Sequence, residues 1–175
     1  MKDPIPRTFV VAVEDRPGVL NRVVSLVRRR GFNIDSLTVG RTERPDVSRI
    51  TLTMRADGDT ARRVQASLYK LVDVLTVDDV TASPAVVHEL ALVKVRASNE
   101  QRLHVLRACE TYHARAVDLS PATLVVEIAG PQERVDALLE TLRPFGIIEL
   151  VRSGAVAMLR GTEAQVAIDR AEAAA

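Results

Sequence analysis

Hydrophobic and polar positions change period along the chain in an order that occurs twice. Phe9, Val11 and Val13 alternate with Thr8, Val10 and Ala12, a β-branched run that predicts a strand ending near Glu14. Asp15-Arg16-Pro17-Gly18 breaks the run, and from Val19 the period lengthens. Leu20, Val23, Val24 and Val27 fall at i, i+3, i+4 and i+7, with Asn21, Arg22, Ser25, Arg28 and Arg29 facing away. An amphipathic helix follows; its basic last turn, Arg28-Arg29-Arg30, complements the negative end of the helix dipole, and Gly31 stops it. A second strand is predicted from Ile34 to about Gly40, then a turn over Thr42-Glu43-Arg44-Pro45-Asp46. In the third strand Ile50, Leu52 and Met54 point one way and Arg49, Thr51, Thr53 and Arg55 the other, a face expected to be wet. Asp57-Gly58-Asp59 ends it and caps a second helix with the stripe Ala61, Val64, Leu68 and Leu71. Val74 to Val80 closes the order βαββαβ.

After a short linker, Thr81-Ala82-Ser83-Pro84, the order returns. Strands are predicted over Leu90 to Ala97, Ala116 to Ser120, Leu124 to Ala129 and Ile147 to Val151. One helix runs from Glu100 to about Tyr112. Another opens at Gly130-Pro131 and carries Val135, Leu138, Leu139 and Leu142 on one face. Corresponding elements lie roughly 75 to 85 residues apart, a repeat of pattern rather than of letters. The expectation is an α+β protein of two ferredoxin-like βαββαβ sandwiches, over 7–82 and 87–161, with a flexible or helical tail over 162–175.

Charge and composition narrow the class. Lys and Arg number 24 against 23 Asp and Glu, a formal charge of +1, so no strong basic field drives binding to nucleic acid or an anionic membrane. The chain is 47% hydrophobic but only 3% aromatic, so its cores are aliphatic. A base-stacking RNA module of this strand order would need aromatic side chains on its central strands, and the runs around Ile50 to Met54 and Leu124 to Ile128 have none. A lone cysteine, Cys109, the lack of an apolar run near the ~18 residues of a membrane span, and an opening Met1-Lys2-Asp3-Pro4 unlike a targeting peptide lead to the expectation of a cytoplasmic protein.

Catalytic chemistry is hard to find. His88, His104 and His113 have no metal-ligand spacing. Cys109 falls on an apolar helix stripe and is expected to pack, and Asp78-Asp79 is expected to be a solvated strand edge. No phosphate loop, dinucleotide fingerprint or serine elbow occurs, so no catalytic residue and no metal site is assigned.

The turn Asp15-Arg16-Pro17-Gly18-Val19-Leu20 carries more. A strand passing into a helix through Pro-Gly leaves the first helical N–H groups unpaired, which favours an anion. Gly18 lets a small carboxylate approach the backbone; Asp15 can accept hydrogen bonds from an ammonium; Val19, Leu20 and Ile34 are apolar. These groups suit a free amino acid, although Asp-x-Pro-Gly is also an ordinary way to start a helix.

That segment, together with Arg30-Gly31-Phe32-Asn33-Ile34-Asp35-Ser36-Leu37-Thr38-Val39, Ser48-Arg49-Ile50-Thr51 and Lys70-Leu71-Val72-Asp73-Val74-Leu75, resembles the ACT domain of the small, regulatory subunits of acetolactate synthase, also called acetohydroxyacid synthase. Glu89-Leu90-Ala91-Leu92-Val93-Lys94-Val95, Val117-Asp118-Leu119-Ser120-Pro121 and Val151-Arg152-Ser153-Gly154 extend the resemblance to about residues 8 to 161. It implies a noncatalytic subunit of branched-chain amino acid biosynthesis that binds and activates a large catalytic subunit. Thiamine diphosphate, Mg and FAD are expected in that partner, and no cofactor in this chain. It further implies a homodimer through ACT domains with valine bound between two copies. Asp15, Gly18, Val19 and Leu20 of one copy would meet Asn33 and Ile34 of the other. Asp15 departs from the Asn common in the family: a carboxylate holds an ammonium more strongly but repels the effector's own carboxylate. A stand-alone ACT-domain sensor acting on a different partner is the alternative.

Overall fold

A computed structural model of the chain describes residues 3–161. The expected tail over 162–175 lies outside the described residues. The described residues divide into two units, residues 3–86 with 155–161, and residues 87–154.

In the first unit the elements are β1 (Ile5–Glu14), α1 (Val19–Arg29), β2 (Ser36–Arg41), β3 (Val47–Ala56), α2 (Gly58–Leu68) and β4 (Val74–Asp79). The antiparallel sheet has the order β2-β3-β1-β4. Register places Phe9 opposite Leu52 and Val11 opposite Ile50, so both strands send buried residues toward the helices. Val19, Val23 and Val27 of α1 and Ala61, Val64 and Leu68 of α2 close this core. Asp57 caps α2, accepting a hydrogen bond from the Thr60 N–H at 2.7 Å. Leu71 lies beyond the end of α2 but still packs on the core.

One stripe differs from the sequence pattern. The buried side of α1 is Val19, Val23 and Val27, while Leu20 is 42% exposed and Val24 half-buried. The Arg22 guanidinium reaches the buried carboxylate of Asp73, just before β4, at 2.8 and 2.9 Å. At 100° per residue Leu20 and Val24 fall on the flank opposite Arg22, away from β4 and toward β2. The helix therefore has more apolar surface than its own core uses.

The second unit repeats the plan with β5 (Ala85–Arg96), α3 (Asn99–Tyr112), β6 (Arg115–Ser120), β7 (Thr123–Gly130), α4 (Gln132–Leu142), a 3₁₀ turn (Arg143–Phe145) and β8 (Ile147–Arg152). Its sheet order is β6-β7-β5-β8. Ala91, Val93, Val95, Leu124, Val126 and Ile128 form the core with α3 and α4. Ser98 and Gln101 make a capping box at the start of α3.

A further strand, β9 (Val156–Leu159), follows β8. From the sequence these residues read as the end of the second domain; in the structure they group with the first unit. Ala157 joins Val10 and Val80 in a small apolar cluster, the Arg49 guanidinium donates to the Ala157 carbonyl at 2.8 Å, and the Arg160 N–H donates to the Pro84 carbonyl at 2.8 Å. The second face of the first sheet is consequently not simply wet: Thr51 is only 3% exposed, and Thr76 is buried as well.

Candidate functional site

The turn between β1 and α1 has the backbone its sequence demands. Gly18 is the N-cap of α1 at φ 87°, a left-handed conformation that costs glycine little. A side chain added there would meet nothing of this chain within 4 Å, so the approach is open. No side chain caps the helix and no acidic residue stands in its first turn. The Arg22 N–H donates to the Gly18 carbonyl at 3.0 Å and the Val19 N–H to the Arg16 carbonyl at 3.3 Å, which leaves the Gly18, Leu20 and Asn21 N–H groups at the helix start without a backbone acceptor.

Asp15 lies beside this terminus. Its backbone N–H donates to the Asp46 carbonyl at 2.8 Å, its Oδ1 accepts from the Ser48 hydroxyl at 3.1 Å, and its Oδ2 lies 3.6 Å from Arg41 Nε. Two residues that sequence reasoning did not assign thus orient and partly neutralise the carboxylate. Ser48 was within reach as part of a resembling motif, but only the β2–β3 register, which sets Arg41 opposite Ser48, reveals that both serve Asp15. Arg41 is strongly exposed, so the ion pair itself contributes little to stability.

The other expected residues separate into roles. The Val19 side chain is buried in the core and its N–H is taken by the Arg16 carbonyl, whereas Leu20 is exposed beside the open amides. Asn33 is exposed in the loop between α1 and β2, its amide donating to Asp35 Oδ1 at 3.5 Å. Ile34 is half-buried and packs against the core. Asp15, Gly18 and Leu20 sit at the N-terminal end of α1; Asn33 and Ile34 follow its C-terminal end. Eleven residues of helix separate the groups by about 16 Å, so one copy does not bring them together.

Outside this region, the other candidates have local explanations. Burial pushes the Cys109 thiol up from its ordinary value, in line with packing. Asp79 is ion-paired with Arg7 at 3.0 Å, and Asp78 is half-buried, its carboxyl pushed up by burial against the pull of Arg49; neither is the plain solvated edge expected. His113 forms the left-handed C-cap of α3. Among the described residues no group of three or more His, Cys, Asp or Glu is arranged to hold a metal, and no helix is long and apolar enough to cross a membrane. Of the segment Lys70 to Leu75, Val74 and Asp73 are buried while Val72 is 92% exposed.

Comparison with known proteins gives concordant matches to both halves. The family described as the AHAS small subunit-like ACT domain matches residues 9–76, and the family described as the small subunit of acetolactate synthase matches residues 88–161. A probable acetolactate synthase small subunit of Archaeoglobus fulgidus is 43% identical over 156 residues, covering 89% of this chain and 98% of the relative. The acetolactate synthase small subunit of Mycobacterium leprae is 44% identical over 154 residues, covering 88% and 91%. A crystal structure of the small subunit from Thermotoga maritima superposes with a TM-score of 0.82 at 32% identity, covering 90% of this chain and 99% of the other.

Proposed function

The chain belongs to the family of acetolactate synthase small subunits, and from that premise we propose a regulatory role: it binds a thiamine-diphosphate-dependent catalytic subunit, raises its activity, and makes it sensitive to valine held between two copies of the ACT domain. The observation that carries the valine site is an unused apolar edge. β2 ends the sheet, Val39 on it is 41% exposed, and Leu20 and Val24 occupy the α1 flank on the same side.

An isologous dimer would use that edge economically. Antiparallel pairing of two β2 strands, centred between Thr38 and Val39, sets Ser36 of one copy opposite Arg41 of the other and continues the sheet. The loop carrying Asn33 and Ile34 then comes beside the α1 terminus of the second copy, closing the 16 Å gap that a single chain leaves. The ligand carboxylate meets the open amides at Gly18 and Leu20, where the helix dipole favours negative charge. Its ammonium is taken by Asp15 and the Asn33 carbonyl oxygen, and its side chain lies on Leu20 and Ile34. Arg41 at 3.6 Å from Asp15 reduces the repulsion that an Asp at this position would exert on the ligand carboxylate.

Regulation follows by linkage. Valine favours the domain arrangement that closes its site, the catalytic subunit favours another, and only that difference in affinity transmits the signal. The cofactors of the reaction, thiamine diphosphate, Mg and FAD, belong in this reading to the catalytic partner. Val72, apolar and almost fully exposed, is the strongest contact candidate for that partner in the Lys70 to Leu75 segment.

Calorimetric titration of the purified chain with valine, leucine and isoleucine, alongside sedimentation analysis, tests the site. Saturable valine binding at two equivalent sites per dimer supports it. A monomer, or a dimer that gives no heat with any of the three, removes the proposed effector site.

A further inference from the structure

The first unit holds a second recess, which shares Asn33 with the valine reading and is otherwise built from residues that reading does not use. A cleft of about 790 Å³ opens between the α1–β2 loop, the end of β3 and the outer side of α2. Arg30, Arg55, Arg63 and Lys70 line it, with the hydroxyls of Thr60 and Ser67 among them. No acidic residue lines it. Arg55 donates to the Pro4 carbonyl at 3.1 Å and Arg63 to the Thr60 hydroxyl at 3.1 Å, both neutral acceptors. None of the four cations forms an ion pair among the described residues. The carboxylate that feels Arg63 is Asp57, and its Oδ1 is committed to capping α2.

Four positive side chains around one concavity stand out in a chain whose charges otherwise balance to +1. Each further cation in a recess raises the energy of its neighbours unless an anion enters. Guanidinium groups match phosphate oxygens in paired hydrogen bonds, and ammonium and hydroxyl groups add single ones. The volume falls within the ~300–1,000 Å³ of small-ligand sites. Phe32 supplies an apolar wall at the α1–β2 loop.

We propose that this cleft binds a small phosphoanion carrying two or more phosphates, with Arg55 and Arg63 as its principal ligands and Arg30 and Lys70 completing the charge. The site is complete within one chain and requires neither valine nor a dimer, so it stands or falls separately from the effector reading.

The test is calorimetric titration of the full chain with inorganic tripolyphosphate at about 0.1 M salt, where diffuse attraction is screened beyond ~10 Å. Wild type is expected to bind one equivalent per chain. The double variant Arg55→Gln/Arg63→Gln is expected to weaken binding at least tenfold. The control Arg29→Gln/Arg62→Gln, which removes the same charge from residues outside the cleft lining, is expected to change it less than threefold, with circular dichroism confirming that both variants fold. Absence of saturable binding overturns the proposal, as does equal weakening in the two variants, which would mark a diffuse electrostatic attraction.

Discussion

At the scale of single residues, the turn at Gly18 combines two constraints. Its positive φ suits glycine, and the space beside it is where a ligand carboxylate would lie. Gly18→Asp imposes backbone strain and puts a carboxylate in front of the open amides. Valine inhibition of the reconstituted enzyme is expected to need about tenfold or more valine, a cost of roughly 1.4 kcal/mol, while stimulation of the partner stays close to wild type; an unchanged inhibition curve would remove Gly18 from the site. Asn33→Ala deletes an amide on the opposite half-site, and calorimetry is expected to show valine affinity reduced by about 1–3 kcal/mol. The turn was legible because the strand and helix periods meet at Pro-Gly, and its candidate role because the resembling motif runs through it, since Asp-x-Pro-Gly by itself is also an ordinary helix start. The supports of Asp15 were not, since Ser48 and Arg41 reach it only through a strand register that local pattern does not encode.

At the scale of elements, β2 and α1 share a surplus of apolar surface on one side. Val39→Lys places a charge on the exposed sheet edge, a natural device against edge pairing. Because Val39 is already 41% exposed, unfolding in urea is expected to shift by no more than about 1 kcal/mol, while sedimentation shows monomer and valine sensitivity is lost. A variant that remains a dimer with full sensitivity would move the interface elsewhere. Sequence periodicity assigned Leu20 to the buried face because a 3.6-residue pattern locates apolar residues without saying which neighbour covers them. For the same reason it missed β9: four residues after Gly154 are too short for a periodic signal, and their place depends on Arg49, Val10 and Val80, distant in sequence. Ala157→Asp would put a carboxylate into that apolar cluster and is expected to destabilise the first unit by about 2 kcal/mol or more in urea unfolding.

At the scale of the whole molecule, the two βαββαβ units were legible because each helix and strand switches hydrophobic period cleanly, as in Phe9 to Val13 against Val19 to Val27. The family was legible from several motifs in order, and both halves of the chain match it. The proposed effector site was only half legible: its residues fall at opposite ends of α1, and no pattern within one chain states that a second copy would be needed to complete it. A regulatory account must finally be judged on the partner's rate. The decisive measurement is acetolactate formation by the cognate catalytic subunit with and without the purified chain, each across a valine titration. The account predicts that the chain raises the rate and that valine lowers the rate only when the chain is present. A catalytic subunit whose rate and valine response are unchanged by the chain would contradict it.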